Sequence, residues 1–511
     1  MTGRVVLIGA GPGDPMLLTL RGKKYIEQAD CIVYDRLASS ELLAYARKDC
    51  ELIYVGKENH HHTMKQEDIN QLLVNQVGNY KLIVRLKGGD PYVFGRGGEE
   101  ALFLKKMGIE VEVVPGISSV IATLEDAGIP ITHRGLSKGF QVVTAHSRKD
   151  MQADIDYSKM LDTSITYLFL MGLSHVREIA EELIKAGRDK NTPVAVISNG
   201  TTARQRKCVG KLDNIYELVL NANLMSPAII VVGDVVTLSD KLDFFESRPL
   251  FGRRYIVPYI ERFCFSYDKG VESAKKQEHF DSELEMKLRD MGADICPVKV
   301  GKIVPVNIQR DVFEDALKSD WIIFTSQNGV NAFLWNLKEK GLDIRAISSC
   351  GIAVVGRKTG EALAKAALCA DVVPQKQTGE ALCKELGYEI AKSGIDKTEV
   401  NVTLFAAKES NEEVDRYLSD VYNYTKIICY ENRLEKYVDN EYNDIEWNSY
   451  DGIFFTSGSS VKRIINISKG ELPDKIYSIG PKCSEVIRSE TGRKCIEAQK
   501  SDYDGLLQLV I

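Results

Sequence analysis

The 511-residue sequence has no apolar run approaching the ~18 residues that a membrane-spanning helix needs, so membrane insertion is not expected. It also has no charged-then-apolar leader. Arg4-Val5-Val6-Leu7-Ile8 reads directly as a strand, and export is not expected. Its eleven cysteines include no CxxC pair and no small-scaffold framework, and the odd count suits reduced thiols in a cytoplasmic protein. An excess of one charge sign is missing too. With 66 Lys and Arg against 72 Asp and Glu, well mixed, the net charge is -6, and bulk electrostatics do not favour a nucleic-acid partner. A local basic pocket stays open. The run His60-His61-His62 cannot readily converge on one ion, and no Cys or carboxylate stands at a usual ligand spacing, so no metal site is expected.

What is present is alternation. Short β-branched or apolar runs at Val5–Ile8, Cys31–Tyr34, Leu82–Leu86, Val111–Val114, Val142–Thr144, Thr166–Leu170, Val194–Ile197 and Ile229–Val232 recur between segments of helical period, which predicts an α/β fold. Asp243–Gly252 closes this series with Pro249 and Gly252 before a new strand, Arg254–Val257, and the main boundary is expected there. The second half repeats itself. Trp321-Ile322-Ile323-Phe324-Thr325-Ser326 is echoed by Gly452-Ile453-Phe454-Phe455-Thr456-Ser457, and Val354-Val355-Gly356 by Ser478-Ile479-Gly480, each at a strand end leading into a helix. Two homologous α/β domains explain this most simply. The expected division is 1–246, with subdomains of about 1–115 and 116–246, then 247–511, with one domain of about 251–297 plus 431–511 and another of about 298–430.

The densest signal is Gly88-Gly89-Asp90-Pro91-Tyr92-Val93-Phe94-Gly95-Arg96-Gly97-Gly98-Glu99-Glu100, a turn that no packing requirement explains. Its glycines let backbone approach a bound molecule closely. The turn Gly9-Ala10-Gly11-Pro12-Gly13-Asp14-Pro15 imitates a dinucleotide fingerprint, with Asp35 about 20 residues on. Asp14, however, stands where the third glycine belongs, which argues against a nicotinamide or flavin. With Val114-Pro115-Gly116-Ile117-Ser118-Ser119 and Gly128-Ile129-Pro130-Ile131-Thr132-His133-Arg134, these motifs resemble the tetrapyrrole methylase family, most closely its uroporphyrinogen-III C-methyltransferases, over roughly Val5 to Leu242.

That resemblance implies S-adenosylmethionine as cofactor, met by Pro12, Gly88, Gly89, Asp90, Val93, Ser118, Ser119, Met171 and Gly200. It implies Asp35 as the proton acceptor and Lys57 as the proton donor, while the residues alone leave open a helix cap and a solvated loop charge. Glu58 follows Lys57 where the family often has arginine. A substrate with eight carboxylates calls for cationic and amide donors. The candidates are Arg36, Arg96, His133 and Arg134, with His146, and with Arg85 and Lys87 if these are not paired internally.

The second half resembles uroporphyrinogen-III synthase over about Gly252 to Leu507, a fold of two α/β domains joined by a two-stranded ribbon, here near Pro297–Pro305 and Thr425–Glu435. The implied reaction closes hydroxymethylbilane with inversion of ring D, a task of conformational control. Thr325, Ser326, Thr456 and Ser457 with Gly356 and Gly480 would hold substrate carboxylates at helix N-termini, the alternative being ordinary caps. Tyr430 matches the tyrosine that assists hydroxide departure, the alternative being a buried ribbon tyrosine. Pro258 replaces the Thr-Arg expected after the first strand. The expected function is therefore bifunctional: synthesis of uroporphyrinogen III and its C-methylation to precorrin-2, in a homodimer formed through the methylase half. Alternatives are a noncatalytic second half and a methylase of a later corrin precursor.

Overall fold

A computed structural model describes residues 3–47, 49–56, 64–145, 155–263, 265, 283–392, 394–409, 412–433, 442 and 445–511. Lys57, the histidines at 60–62 and His146 lie outside the described residues. The chain forms two compact units, Met1–Tyr255 with Glu283–Ile295 and Val510–Ile511, and Ile256–Ser282 with Cys296–Leu509. The first unit thus includes Glu283–Ile295, all of which the sequence reading assigned to the second half. The helix Glu283–Asp290 buries Leu284 and Leu288, and Arg289 pairs with Glu41 at 2.9 Å.

The first unit holds two five-stranded sheets. Strands β1 (Arg4–Gly9), β2 (Cys31–Tyr34), β3 (Glu51–Tyr54), β4 (Leu82–Lys87) and β5 (Glu110–Val114) are all parallel, in the order β3-β2-β4-β1-β5. The continuous apolar runs of β1 and β4 follow from cover on both faces. Alternate residues point opposite ways, Val6, Ile8 and Val84 into one core and Val5, Cys31 and Ile83 into another. Each such side chain, fully buried, contributes roughly 1.5–3 kcal/mol. Along β4, Arg85 and Lys87 are also buried, at 2% and 5% exposure, on the face of Ile83. The second sheet orders β6 (Gly139–Thr144), β7 (Ile165–Leu170), β8 (Pro193–Ser198), β9 (Arg206–Lys211) and β10 (Ala228–Val232) as β6-β7-β10-β8-β9, with only β6 and β7 parallel.

The second unit is built on one nine-stranded sheet. Its strands are β11 (Arg254–Glu261), β12 (Asp294–Pro305), β13 (Trp321–Phe324), β14 (Gly351–Val354), β15 (Asn401–Ala407), β16 (Asn423–Arg433), β17 (Gly452–Phe455), β18 (Ile476–Ser478) and β19 (Ile496–Glu497), in the order β14-β13-β15-β16-β12-β11-β17-β18-β19. The expected ribbon is the antiparallel pair β12 and β16, with Pro305 opposite Tyr430, set between parallel sections at either end. Strand β11 runs through Pro258. Phe324, Phe333 and Phe405 pack ring to ring at centroid distances of 4.8 to 5.8 Å in the lobe around β13 and β15. Such pairs add about 0.5–1.5 kcal/mol each beyond their buried area.

Candidate functional site

At the carboxyl end of the first sheet, the loops after β1, β4 and β5 cross almost in contact. Gly11 and Gly89 exchange backbone hydrogen bonds of 3.2 and 2.7 Å. A Cβ on Gly116 would stand 2.2 Å from the Gly89 carbonyl oxygen and 2.6 Å from the Gly9 Cα, so no larger residue fits this crossing. Asp90 ties the loops together, its Oδ1 accepting from the Tyr92 amide at 2.8 Å and its Oδ2 from the Gly116 amide at 3.1 Å. Ser118 is the N-cap of the helix Ser119–Asp126, yet its hydroxyl caps no amide there.

The loop after β8 of the second sheet reaches the loop after β1. The Asp14 amide donates to the Thr201 hydroxyl at 3.2 Å, and the Thr201 amide donates to Gln205 at 3.0 Å. A Cβ on Gly200 would lie 2.2 Å from the Thr123 side chain. Burial pushes the Asp14 carboxyl above its ordinary range, against the Met16 amide and Arg289, which pull it down. Among the described residues eight other than glycine have positive φ, and five of them, Phe94, Arg96, Met171, Asn199 and Thr201, sit on the loops carrying the motif residues. Backbone strain of this kind concentrates at ligand sites. Tyr92, Val93, Phe94 and Met171 expose apolar surface on these loops. A groove of about 620 Å³ beside Arg4, Arg21, Lys24 and Tyr25 includes the start of β1, away from these loops.

Asp35 follows β2. Its Oδ1 accepts from the Leu37 amide at 3.2 Å, and its Oδ2 pairs with Arg85 Nη2 at 3.1 Å. Arg85 Nε lies 3.5 Å from Glu100 Oε1, which also accepts from Lys87 Nζ at 2.8 Å and Gln66 at 2.9 Å. Burial, then Arg85, lowers the Lys87 pKa, and Glu100 opposes them. Arg85 and Lys87 are therefore internally paired, which decides the open alternative against carboxylate donors. Arg36, Arg96, His133 and Arg134 are exposed. Arg96 already pairs with Glu99 at 2.6 Å. Among the described residues no group of three or more His, Cys, Asp or Glu could hold a metal ion.

In the second unit, Ser326 caps the helix Gln327–Glu339 by accepting from the Gly329 amide at 3.1 Å, and Ser457 caps Gly458–Ile467 through the Ser460 amide at 3.3 Å. Both hydroxyls thus act as ordinary caps, while Thr325 and Thr456 stand half-buried just before them. Gly356 and Gly480 are the N-caps of Arg357–Ala364 and Pro481–Thr491. The Tyr430 hydroxyl, on β16, meets Ser326 Oγ at 2.8 Å, and burial pushes its pKa up. Sequence reasoning missed Thr201 and Glu100, whose hydrogen-bond partners Asp14 and Gln66 lie 187 and 34 residues away.

Residues 4–216 match the family described as tetrapyrrole (corrin/porphyrin) methylases, and residues 282–508 match uroporphyrinogen-III synthase HemD. The whole chain is 33% identical over 518 residues to a porphyrin biosynthesis protein HemD of Ruminiclostridium josui, covering 98% of it. It is 52% identical over 242 residues to a uroporphyrinogen-III C-methyltransferase of Methanocaldococcus jannaschii, with 47% of this chain and 99% of the relative covered. A solved uroporphyrin-III C-methyl transferase from Thermus thermophilus, complexed with S-adenyl homocysteine, is 40% identical with a TM-score of 0.40, covering 46% of this chain and 99% of that one.

Proposed function

Because the chain belongs to the tetrapyrrole methylase family in its first part and to the uroporphyrinogen-III synthase family in its second, we propose that it converts hydroxymethylbilane to uroporphyrinogen III and methylates that product to precorrin-2. The functional division is placed near residue 246, and the active species is a cytoplasmic homodimer formed through the methylase half. The observation that carries the methylase reading is the loop crossing at Gly9, Gly89 and Gly116, which leaves backbone where side chains would otherwise stand.

The residues present fit S-adenosylmethionine, since a sulfonium cofactor with adenine, ribose and carboxylate needs backbone donors and acceptors rather than a metal. Pro12, Gly88, Gly89, Asp90, Val93, Ser118, Ser119, Met171 and Gly200 would hold it, and when bound it supplies an activated methyl group. Alignment and exclusion of water are then the chief tasks of the loops. Arg36, Arg96, His133 and Arg134 hold the carboxylates of the macrocycle. Methylation of an electron-rich pyrrole carbon leaves positive charge on the ring nitrogen, and Asp35 takes the proton whose loss relieves it. Lys57 is the proposed proton donor.

In the second half, Thr325 and Thr456, with the helix N-terminal amides that follow the capping residues Ser326 and Ser457, anchor acetate and propionate groups, and Gly356 and Gly480 widen the same cleft. Tyr430 donates its hydroxyl proton toward the departing hydroxide, with Ser326 orienting the phenol. The test of the methylase is purified protein with uroporphyrinogen III and S-adenosylmethionine, products separated by chromatography. Precorrin-2 is expected, and no methylated product would contradict the proposal.

A further inference from the structure

Four charged side chains form one buried chain in the first unit, and it ends at Asp35. Exposure of the side chains is 6% for Lys87, 0% for Glu100 and 3% for Arg85, against 26% for Asp35, so the chain reaches solvent at that carboxylate. Two cations and two carboxylates cancel, which lets them be buried together. Such a chain is a poor way to stabilise a fold. Apolar residues of similar volume would join β4 to the helix Gly97–Lys106 without removing four charges from water, and replacing buried ion pairs in that way is often neutral or stabilising.

Geometry gives the charges another task. Arg85 Nη1 donates to the Leu86 carbonyl at 3.1 Å, its Nε faces Glu100 Oε1 at 3.5 Å, and its Nη2 holds Asp35 Oδ2 at 3.1 Å. Hydrogen bonds at Nη1, to the Leu86 and Val33 carbonyls, and at Nη2, to Asp35, fix the plane of the guanidinium, while Nε meets Glu100 as an ion pair without a hydrogen bond. Glu100 is fixed in turn by Lys87 and Gln66, and its Oε2 finds no hydrogen-bond partner among the described residues. With the Leu37 amide on Oδ1, both oxygens of Asp35 are aimed.

We infer that Arg85, braced by Glu100, is a positioning residue for methyl transfer, holding Asp35 oriented to receive the proton. This inference rests on Asp35 being the proton acceptor.

The test is a double-mutant cycle of Arg85→Lys and Asp35→Asn, read by single-turnover methyl transfer to uroporphyrinogen III, with binding of S-adenosylhomocysteine by calorimetry as the control. Asp35→Asn is expected to slow transfer by about 10²–10⁴-fold. Arg85→Lys is expected to slow it by about 100-fold through misplacement of the carboxylate, with cofactor affinity unchanged. In the Asp35→Asn background Arg85→Lys should cost nothing more. Equal losses in both backgrounds would overturn the positioning role while leaving Asp35 as the acceptor. Full activity of Asp35→Asn alone would instead remove the acceptor on which the inference stands. Should Arg85→Lys fail to fold, Glu100→Gln, which keeps volume and an acceptor, carries the same cycle with the same pattern expected.

Discussion

The two units solve opposite problems. In the first, loops after β1, β4 and β5 are crowded until only glycine fits, and a buried charge chain reaches the surface at one carboxylate. In the second, the hydroxyls expected at the site cap their own helices, and Tyr430 leans on one of them. A methyl transfer needs one cofactor pose and one proton acceptor, and these constraints leave dense, specific motifs. Ring closure under conformational control, the activity proposed for the second, needs anchors spread along a cleft, and helix N-termini can offer those with residues that any helix would use.

The largest expected break between the units comes from Gly116→Val. Its side chain collides with the Gly89 carbonyl, and affinity for S-adenosylhomocysteine should fall by about 100-fold or more, roughly 3 kcal/mol, in calorimetry. Formation of uroporphyrinogen III should continue at the unaltered rate. Loss of both activities together would mean that the units do not work separately.

Next in size is a pH effect confined to the first unit. Glu285 is 1% exposed, and its two carboxylate oxygens find no hydrogen-bond partner among the described residues. Burial raises its pKa from 4.5 to about 8, with Arg289 opposing and Glu41 adding to the shift. Because the folded value lies above the unfolded one, its contribution is fully present below about pH 4.5 and is lost as pH rises through about 8. Glu285→Gln should therefore match the wild type at pH 4.5 and be more stable at pH 8, by on the order of 2 kcal/mol, in chemical denaturation. A constant difference across that range would show that the carboxyl does not titrate there.

The smallest effect belongs to the second unit. Tyr430→Phe removes the hydroxyl that meets Ser326 and should slow uroporphyrinogen III formation by about tenfold, near 1.4 kcal/mol, with methylation untouched. An unchanged rate would reduce Tyr430 to a packed ribbon residue.

How much of this was legible in the sequence depended on the distance over which the cause acts. Strands β1 and β4 stood out because cover on both faces makes them continuously apolar. Strands β3 and β9 were missed. They lie at sheet edges with one neighbour each, and β9, Arg-Lys-Cys-Val-Gly-Lys, carries no apolar run. The glycine loops were legible as ligand loops because glycine and proline mark backbone constraints locally. What the glycines avoid was not legible, since Gly116 meets Gly9 and Gly89 only in the fold. The pairing of Arg85 with Asp35 spans 50 residues and that of Asp14 with Thr201 spans 187, distances that no local pattern records. Arg85 and Lys87 stayed open between carboxylate donors and internally paired residues, because a cation in a strand ordinarily faces water and its buried partners are set only by the fold.

The most direct test of the account supplies the pure protein with hydroxymethylbilane and S-adenosylmethionine, without any other enzyme, and separates isomers and methylated products by chromatography. The account predicts precorrin-2 of the type III series as the main product. Accumulation of the uninverted isomer, with precorrin-2 formed only when uroporphyrinogen III is supplied, would contradict the bifunctional assignment and leave the second unit without its proposed activity.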